Sequence, residues 1–230
     1  MTGRPRQLLA LHGPTGSGKS TLSKLLAKKM GGYLIPEPIP TRVLDGIQLT
    51  EFEVQKQILC SKRKALQNLN DANCAILDRT IAEDREVFLT LHRQLGNLNT
   101  DELLQLQALS RQIESEVTEP TAIVCIRAKY EHLIGRMILD GRPTWVIDHL
   151  GAQLSLYERI PSPKDVPYVE IDSSALSLSD LDEVANWIAR TAFAIGPKSY
   201  VLRNGIELNW IWPLPAMSTV ATRTEFRHQP

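Results

Sequence analysis

Near-continuous apolar runs alternate with longer segments of helical period along this chain. Four of these runs are rich in β-branched and aliphatic residues: "LLALHG" (8–13), "CAILDR" (74–79), "AIVCIRA" (122–128) and "YVEIDS" (168–173). A shorter fifth, "GYLIPEP" (32–38), lies between the first two. Runs without polar alternation suit strands buried on both faces. Between them the spacing predicts helices over 19–30, about 50–70, about 80–95, 100–116, 129–139, 146–159 and 178–194. In the last, Leu178, Leu181, Val184, Ala185 and Ile188 keep one stripe, and "SLSD" supplies capping residues ahead of it. The order predicts an α/β protein with a five-stranded parallel sheet flanked by helices in three layers. No internal repeat is present.

After residue 196 the texture changes. An Asn204-Gly205 pair between β-rich segments predicts a hairpin over 199–212, and the rest lacks periodicity. The expected organisation is one domain over 1–196 and a C-terminal appendage over 197–230.

Composition adds mostly exclusions. Lys+Arg and Asp+Glu are equal at 26 each, so no global field favours nucleic acid or an anionic membrane. No apolar run approaches the ~20 residues that span a bilayer. The N-terminal "MTGRPRQ" shows no hydrophobic signal region, and the 3 cysteines Cys60, Cys74 and Cys125 have no CxxC spacing. A protein of the reducing cytoplasm is expected, with Cys74 and Cys125 as buried thiols.

The chemistry enters at residues 12–21, "HGPTGSGKST". Residues 13–20 match G-x-x-x-x-G-K-[ST] between a strand and a helix, the context a phosphate-binding loop needs. Gly13, Gly16 and Gly18 let the loop curl around Pro14, Thr15 and Ser17 so that backbone N–H groups point inward. The helix opening at Lys19, Ser20 and Thr21 adds its dipole. Lys19 can reach terminal phosphates, and Ser20 can ligate Mg²⁺. The loop therefore predicts a bound nucleoside triphosphate. There is no N-K-x-D segment of a GTPase and no acidic pair ending a strand. Instead Glu37 follows the second strand and Asp78-Arg79 ends the third. An isolated carboxylate suits a general base for an acceptor hydroxyl, and the Asp-Arg pair suits metal ordering with phosphate clamping.

Together these pieces resemble the deoxynucleoside kinase family from about residue 7 to 174. They are "GPTGSGKST", "PEP", "FEVQKQILCSK", "LDRTIAEDREVF", "IVCIRAKYEHLIGRMILDGR" and "VPYVEID", in the family's order. The resemblance implies ATP as donor, Mg²⁺ at Ser20 and Asp78, a small nucleoside acceptor and a homodimer. It makes Glu37 the base catalyst, with Arg79 also in the catalytic set and Arg136 and Arg142 as lid arginines clamping the moving phosphate. It places Gln55, Lys62, Asp84 and Phe88 around the acceptor base. Gln55 and Lys62 are seven residues apart and share a helix face, with Asp84 expected to pair with Lys62. Apolar stripes on the helices at 50–70 and 100–116, through Phe52, Ile58 and Leu59 and through Leu103, Leu104, Leu106 and Leu109, are the expected dimer surface. The chain departs from the family where Asp140 replaces a lid arginine, Trp145 a sugar-contacting glutamate, Arg42 a pocket aromatic and Lys62 an arginine. The leading expectation is transfer of the γ-phosphoryl of ATP to the 5′-OH of a deoxynucleoside. A nucleoside monophosphate or modified nucleoside as acceptor, and a binding module without turnover, are the alternatives.

Overall fold

The computed structural model describes residues 7–38, 42–44, 47–69, 73–160, 165–191, 199–203 and 207–210. Its first half runs β1 (Gln7–His12), α1 (Lys19–Met30), β2 (Tyr33–Ile35), β3 (Val43–Leu44), β4 (Ile47–Gln48), α2 (Glu51–Gln67) and β5 (Cys74–Asp78). Then come α3 (Ile81–Glu83), a π-helical turn (Asp84–Leu89), α4 (Thr90–Gln94), α5 (Thr100–Glu116), β6 (Ala122–Arg127), α6 (Tyr130–Leu139), α7 (Thr144–Asp148) and α8 (Leu150–Tyr157). The chain closes with β7 (Tyr168–Asp172), α9 (Leu178–Thr191), β8 (Ser199–Arg203) and β9 (Glu207–Trp210).

The main sheet has the order β2-β5-β1-β6-β7-β8-β9. Its first five strands are parallel, in line with the apolar runs. Side chains of β1 divide the core. Leu9 and Leu11 pack with Leu22 and Leu26 of α1 and Val184 and Ile188 of α9. Leu8 and Ala10 pack on the other face with Leu59 of α2 and Leu106 and Ile113 of α5. Helices thus cover both faces, and burial on both sides explains the missing polar alternation.

The chain passes from β1 through α1 to β2 on one side of β1, and later crosses from β5 to β6 on its other side. This creates the crevice at the strand carboxyl ends where α/β proteins gather ligands.

Three elements differ from the sequence expectation. The segment 80–95 divides into α3, a π turn and α4, and 146–159 divides at His149. A small antiparallel pair, β3-β4, precedes α2. The hairpin strands are present, but β8 also pairs parallel with β7, from Tyr168↔Ser199 to Ile171↔Leu202. The hairpin therefore extends the sheet; its Asn204-Gly205 turn and the tail from 211 lie outside the described residues.

The two apolar stripes expected at a dimer surface are largely internal. Leu59 and Leu106 are in the core, Phe52, Leu103 and Leu109 pack against it, and Leu104 is exposed. Among the described residues no helix is long and apolar enough to cross a membrane.

Candidate active site

The loop between β1 and α1 is shaped by its glycines. Gly13 has φ 142°, and a Cβ there would overlap the carbonyl oxygen of Ile126 on β6. Gly18, with φ 97°, caps α1 without any side-chain hydrogen bond, and the first turn of α1 holds no acidic residue. By contrast α2 and α5 carry full capping boxes, Thr50 with Glu53 and Asn99 with Glu102. The positive end of α1 is thus left open to an anion. Thr15 through Thr21 border a cavity of about 810 Å³, while Gly13 and Pro14 lie buried beneath it. Lys19 is folded back onto the loop, donating to Gly13 O and, at 3.0 Å, to Pro14 O. Burial lowers its pKa, opposed by Glu83, Asp78 and Glu37.

Asp78, the last residue of β5, accepts a hydrogen bond from Ser20 Oγ at 2.8 Å through Oδ2. Its Oδ1 is buried with no partner. Two hard oxygens, one of them an unpartnered buried carboxylate atom, fit a magnesium ion.

Arg79 joins the site's halves. Its Nη2 lies 2.5 Å from Glu37 Oε1. Its Nε stands 2.9 Å from Asp84 Oδ1 as an ion pair without hydrogen-bond alignment. The guanidinium carbon sits 3.8 Å from the Phe88 ring centroid. Burial works against its charge, but Asp84 and Glu37 outweigh that and raise its pKa. Glu37 and Arg79 both border the cavity, with Gln55, Phe88, Arg136 and Arg142.

Lys62 and Asp84 do not. Expected at the acceptor base, they stand behind Arg79 instead: Lys62 is 0% exposed and Asp84 1%. Lys62 Nζ donates to Asp84 Oδ2 at 2.5 Å and to Arg79 O at 2.9 Å. The expected pairing exists, but both partners are turned toward Arg79 rather than the cavity. Burial lowers the Lys62 pKa, with Asp84 opposing.

Gln55 keeps its place at the cavity, and its amide is oriented by an unforeseen neighbour. Its Nε2 donates to Glu51 Oε1 at 2.8 Å. Glu51 also accepts from Arg42 Nη1 at 3.2 Å and faces His92 Nε2 at 3.4 Å. Arg42, standing where the family commonly has an aromatic, is therefore paired with a carboxylate. Burial raises the Glu51 pKa, but Gln55, His92 and Arg42 together lower it further.

On the lid side, Arg136 donates to Ser173 Oγ at 3.0 Å and to Ser173 O at 2.5 Å. Ser173 also donates to Ser17 O at 2.9 Å, linking the end of β7 to the loop. Gln153 on α8 accepts from Thr15 N at 3.0 Å. Glu51, His92, Gln153, Tyr157, Glu83 and Ser173 were not singled out in the sequence. Each reads there as an ordinary helix or turn residue; apart from Glu51, which pairs with nearby Gln55 and Arg42, their partners are distant along the chain.

A sequence profile of deoxynucleoside kinases matches residues 9–148. The chain belongs to the deoxynucleoside kinase family. It is similar to the deoxyguanosine kinase of Bacillus subtilis (strain 168), 24% identical over 140 residues, 59% of this chain and 67% of that one. It is also similar to the deoxyguanosine kinase of Lactobacillus acidophilus (strain ATCC 700396 / NCK56 / N2 / NCFM), 23% identical over 186 residues, 76% and 81% of the two chains. The fold matches a deoxyadenosine kinase from M. mycoides solved with bound dATP, with TM-score 0.62 and 20% identity, covering 80% of this chain and 100% of that one. The motifs on which the resemblance was read thus fall inside a deoxynucleoside kinase fold, with the phosphate loop, Glu37 and Arg79 at one cavity.

Proposed function

We propose that this kinase transfers the γ-phosphoryl of ATP to the 5′-OH of a deoxynucleoside. One observation carries the reading: Lys19's loop and Glu37 border the same cavity, with Arg79, which pairs with Glu37, bordering it too. Glu37 accepts the hydroxyl proton as the hydroxyl oxygen bonds to the γ-phosphorus and the bond to the ADP oxygen breaks. Arg79, Arg136 and Arg142 offer guanidinium donors to charge on the moving group. Ser20 and Asp78 would hold a magnesium ion, which neutralises donor phosphate charge when bound. Gln55, with one amide hydrogen committed to Glu51, presents its carbonyl oxygen and second hydrogen to the acceptor's base.

Arg42 at the cavity wall favours a second reading, an acceptor already carrying a phosphate. A cytoplasmic homodimer completes the proposal; light scattering at micromolar concentration checks the dimer.

The decisive experiment incubates the protein with ATP, Mg²⁺ and a panel of nucleosides and nucleoside monophosphates, and identifies by mass spectrometry which compound gains a phosphate. Glu37→Gln should lower turnover about 10²-fold with ATP affinity little changed. Unaltered turnover, or no phosphorylated product from any panel member, rejects the reading.

A further inference from the structure

Besides Lys19, the backbone of Gly13 is held from beneath the loop by Glu83 and Tyr157, which do not border the cavity. Its N–H donates to Glu83 Oε1 at 3.1 Å. Its carbonyl oxygen receives Lys19 Nζ and lies 2.6 Å from Tyr157 Oη. Tyr157 Oη also contacts Glu83 Oε1. Glu83 is 0% exposed, Tyr157 7% and Lys19 8%, so water cannot replace a lost partner.

A tyrosine hydroxyl has one hydrogen. Gly13 O and Glu83 Oε1 are both acceptors within its reach, so it serves one at a time. While Lys19 rests on Gly13 O, that carbonyl is satisfied and the hydrogen is free for Glu83. When Lys19 turns to the phosphates of a bound donor, Gly13 O loses its ammonium partner. A buried carbonyl without a donor is costly.

We propose that Tyr157 is a positioning residue for phosphoryl transfer: its hydroxyl hydrogen passes from Glu83 to Gly13 O as Lys19 leaves that carbonyl for the donor's terminal phosphates. The proposal rests on the reading of the loop as a nucleoside triphosphate site. Burial, and after it Glu83, holds the Tyr157 pKa well above its ordinary value, so the hydroxyl keeps its hydrogen. Gln153, one turn earlier on the same face of α8, holds Thr15 N, so the helix carrying Tyr157 is registered against the loop at a second point. Glu83 keeps the Gly13 N–H throughout, which anchors the residue on its N-terminal side while its carbonyl changes partners.

The test is a double-mutant cycle on equilibrium ATP binding. Tyr157→Phe should weaken ATP binding roughly tenfold, the cost of one buried acceptor left unpaired in the bound state only, with the acceptor KM near that of the unaltered enzyme. In a Lys19→Ala background the same change should leave ATP binding where Lys19→Ala alone puts it, because Gly13 O then lacks Lys19 before ATP arrives. A merely structural tyrosine would weaken binding equally in both backgrounds, and that result, or no effect in either, overturns the proposal. Lys19→Ala alone tests the loop reading: undiminished ATP binding there overturns the loop as a phosphate site, whatever Tyr157 does. Should Tyr157→Phe not fold, Glu83→Gln decides. It weakens the acceptor competing for the hydrogen, so ATP should bind about twofold to fivefold tighter; weaker binding overturns the relay.

Discussion

A left-handed backbone at a bulky residue costs of order 1–3 kcal/mol and persists only where its surroundings over-determine it. Arg79, with φ 74°, is the one non-glycine residue at positive φ among those described. Its N–H donates to Leu11 O at 3.1 Å and its carbonyl accepts from Lys62. Those two bonds hold the kink, and the kink turns the guanidinium to Glu37, Asp84 and the Phe88 ring at once. The phosphate loop was legible in the sequence because all its parts lie within ten residues. Arg79 was legible as a site residue, but its strained backbone was not, since Leu11 and Lys62 are far from it in sequence. A lysine here keeps charge yet cannot reach two carboxylates in a planar fork or stack on Phe88. Arg79→Lys should lower turnover by about 10²-fold or more, the scale of one lost transition-state donor, while ATP affinity changes less. Steady-state kinetics with separate donor and acceptor titrations check it; unchanged turnover would remove Arg79 from the chemistry.

The helices show where periodicity stops informing. A stripe of apolar residues over 80–95 predicts a helix but cannot separate an α turn from a π turn. The structure inserts the π turn at Asp84–Leu89, with Thr90 Oγ1 donating to Arg85 O at 3.4 Å just beyond it. That turn carries Asp84 and Phe88, and both meet Arg79. Helix α2 supplies Lys62 from the other side, so two elements share one fully buried charge cluster. The family resemblance picks out Lys62 and Asp84, yet their direction depends on the Arg79 carbonyl, which the motif does not reveal. Lys62→Met keeps the volume but leaves Arg79 as the one cation paired with Asp84 among the described residues. Removing one partner of a buried pair costs about 3–5 kcal/mol, so thermal unfolding should move down by many degrees. Turnover per folded molecule should fall as well, because Arg79 O loses its donor. A melting point equal to that of the unaltered protein would show that the cluster contributes little.

At the scale of the whole molecule, the five-stranded parallel sheet was readable from apolar runs because strands buried on both faces have a distinct pattern. The place of the C-terminal hairpin was not. Asn204-Gly205 signals that β8 meets β9, a local event, whereas the pairing of β8 with β7 joins residues 31 positions apart, as Tyr168 with Ser199. With β8 in place, β7 is an interior strand between β6 and β8. Without it, the backbone groups of Tyr168–Ile171 that face β8 become an open edge. Open flat edges invite pairing with other chains. The cavity is a separate matter, because among the described residues the last one along the chain to border it is Leu181. A chain ending after Thr191 should therefore still bind ATP within about threefold of the full protein, a change under ~0.7 kcal/mol. It should also melt at lower temperature and scatter light increasingly as its concentration rises. Calorimetry of ATP binding and a concentration series in light scattering separate the two effects. A truncated chain that melts like the full one and stays dispersed would show that β8 does not protect the sheet edge. One that is dispersed but no longer binds ATP would mean that the extension shapes the site from a distance.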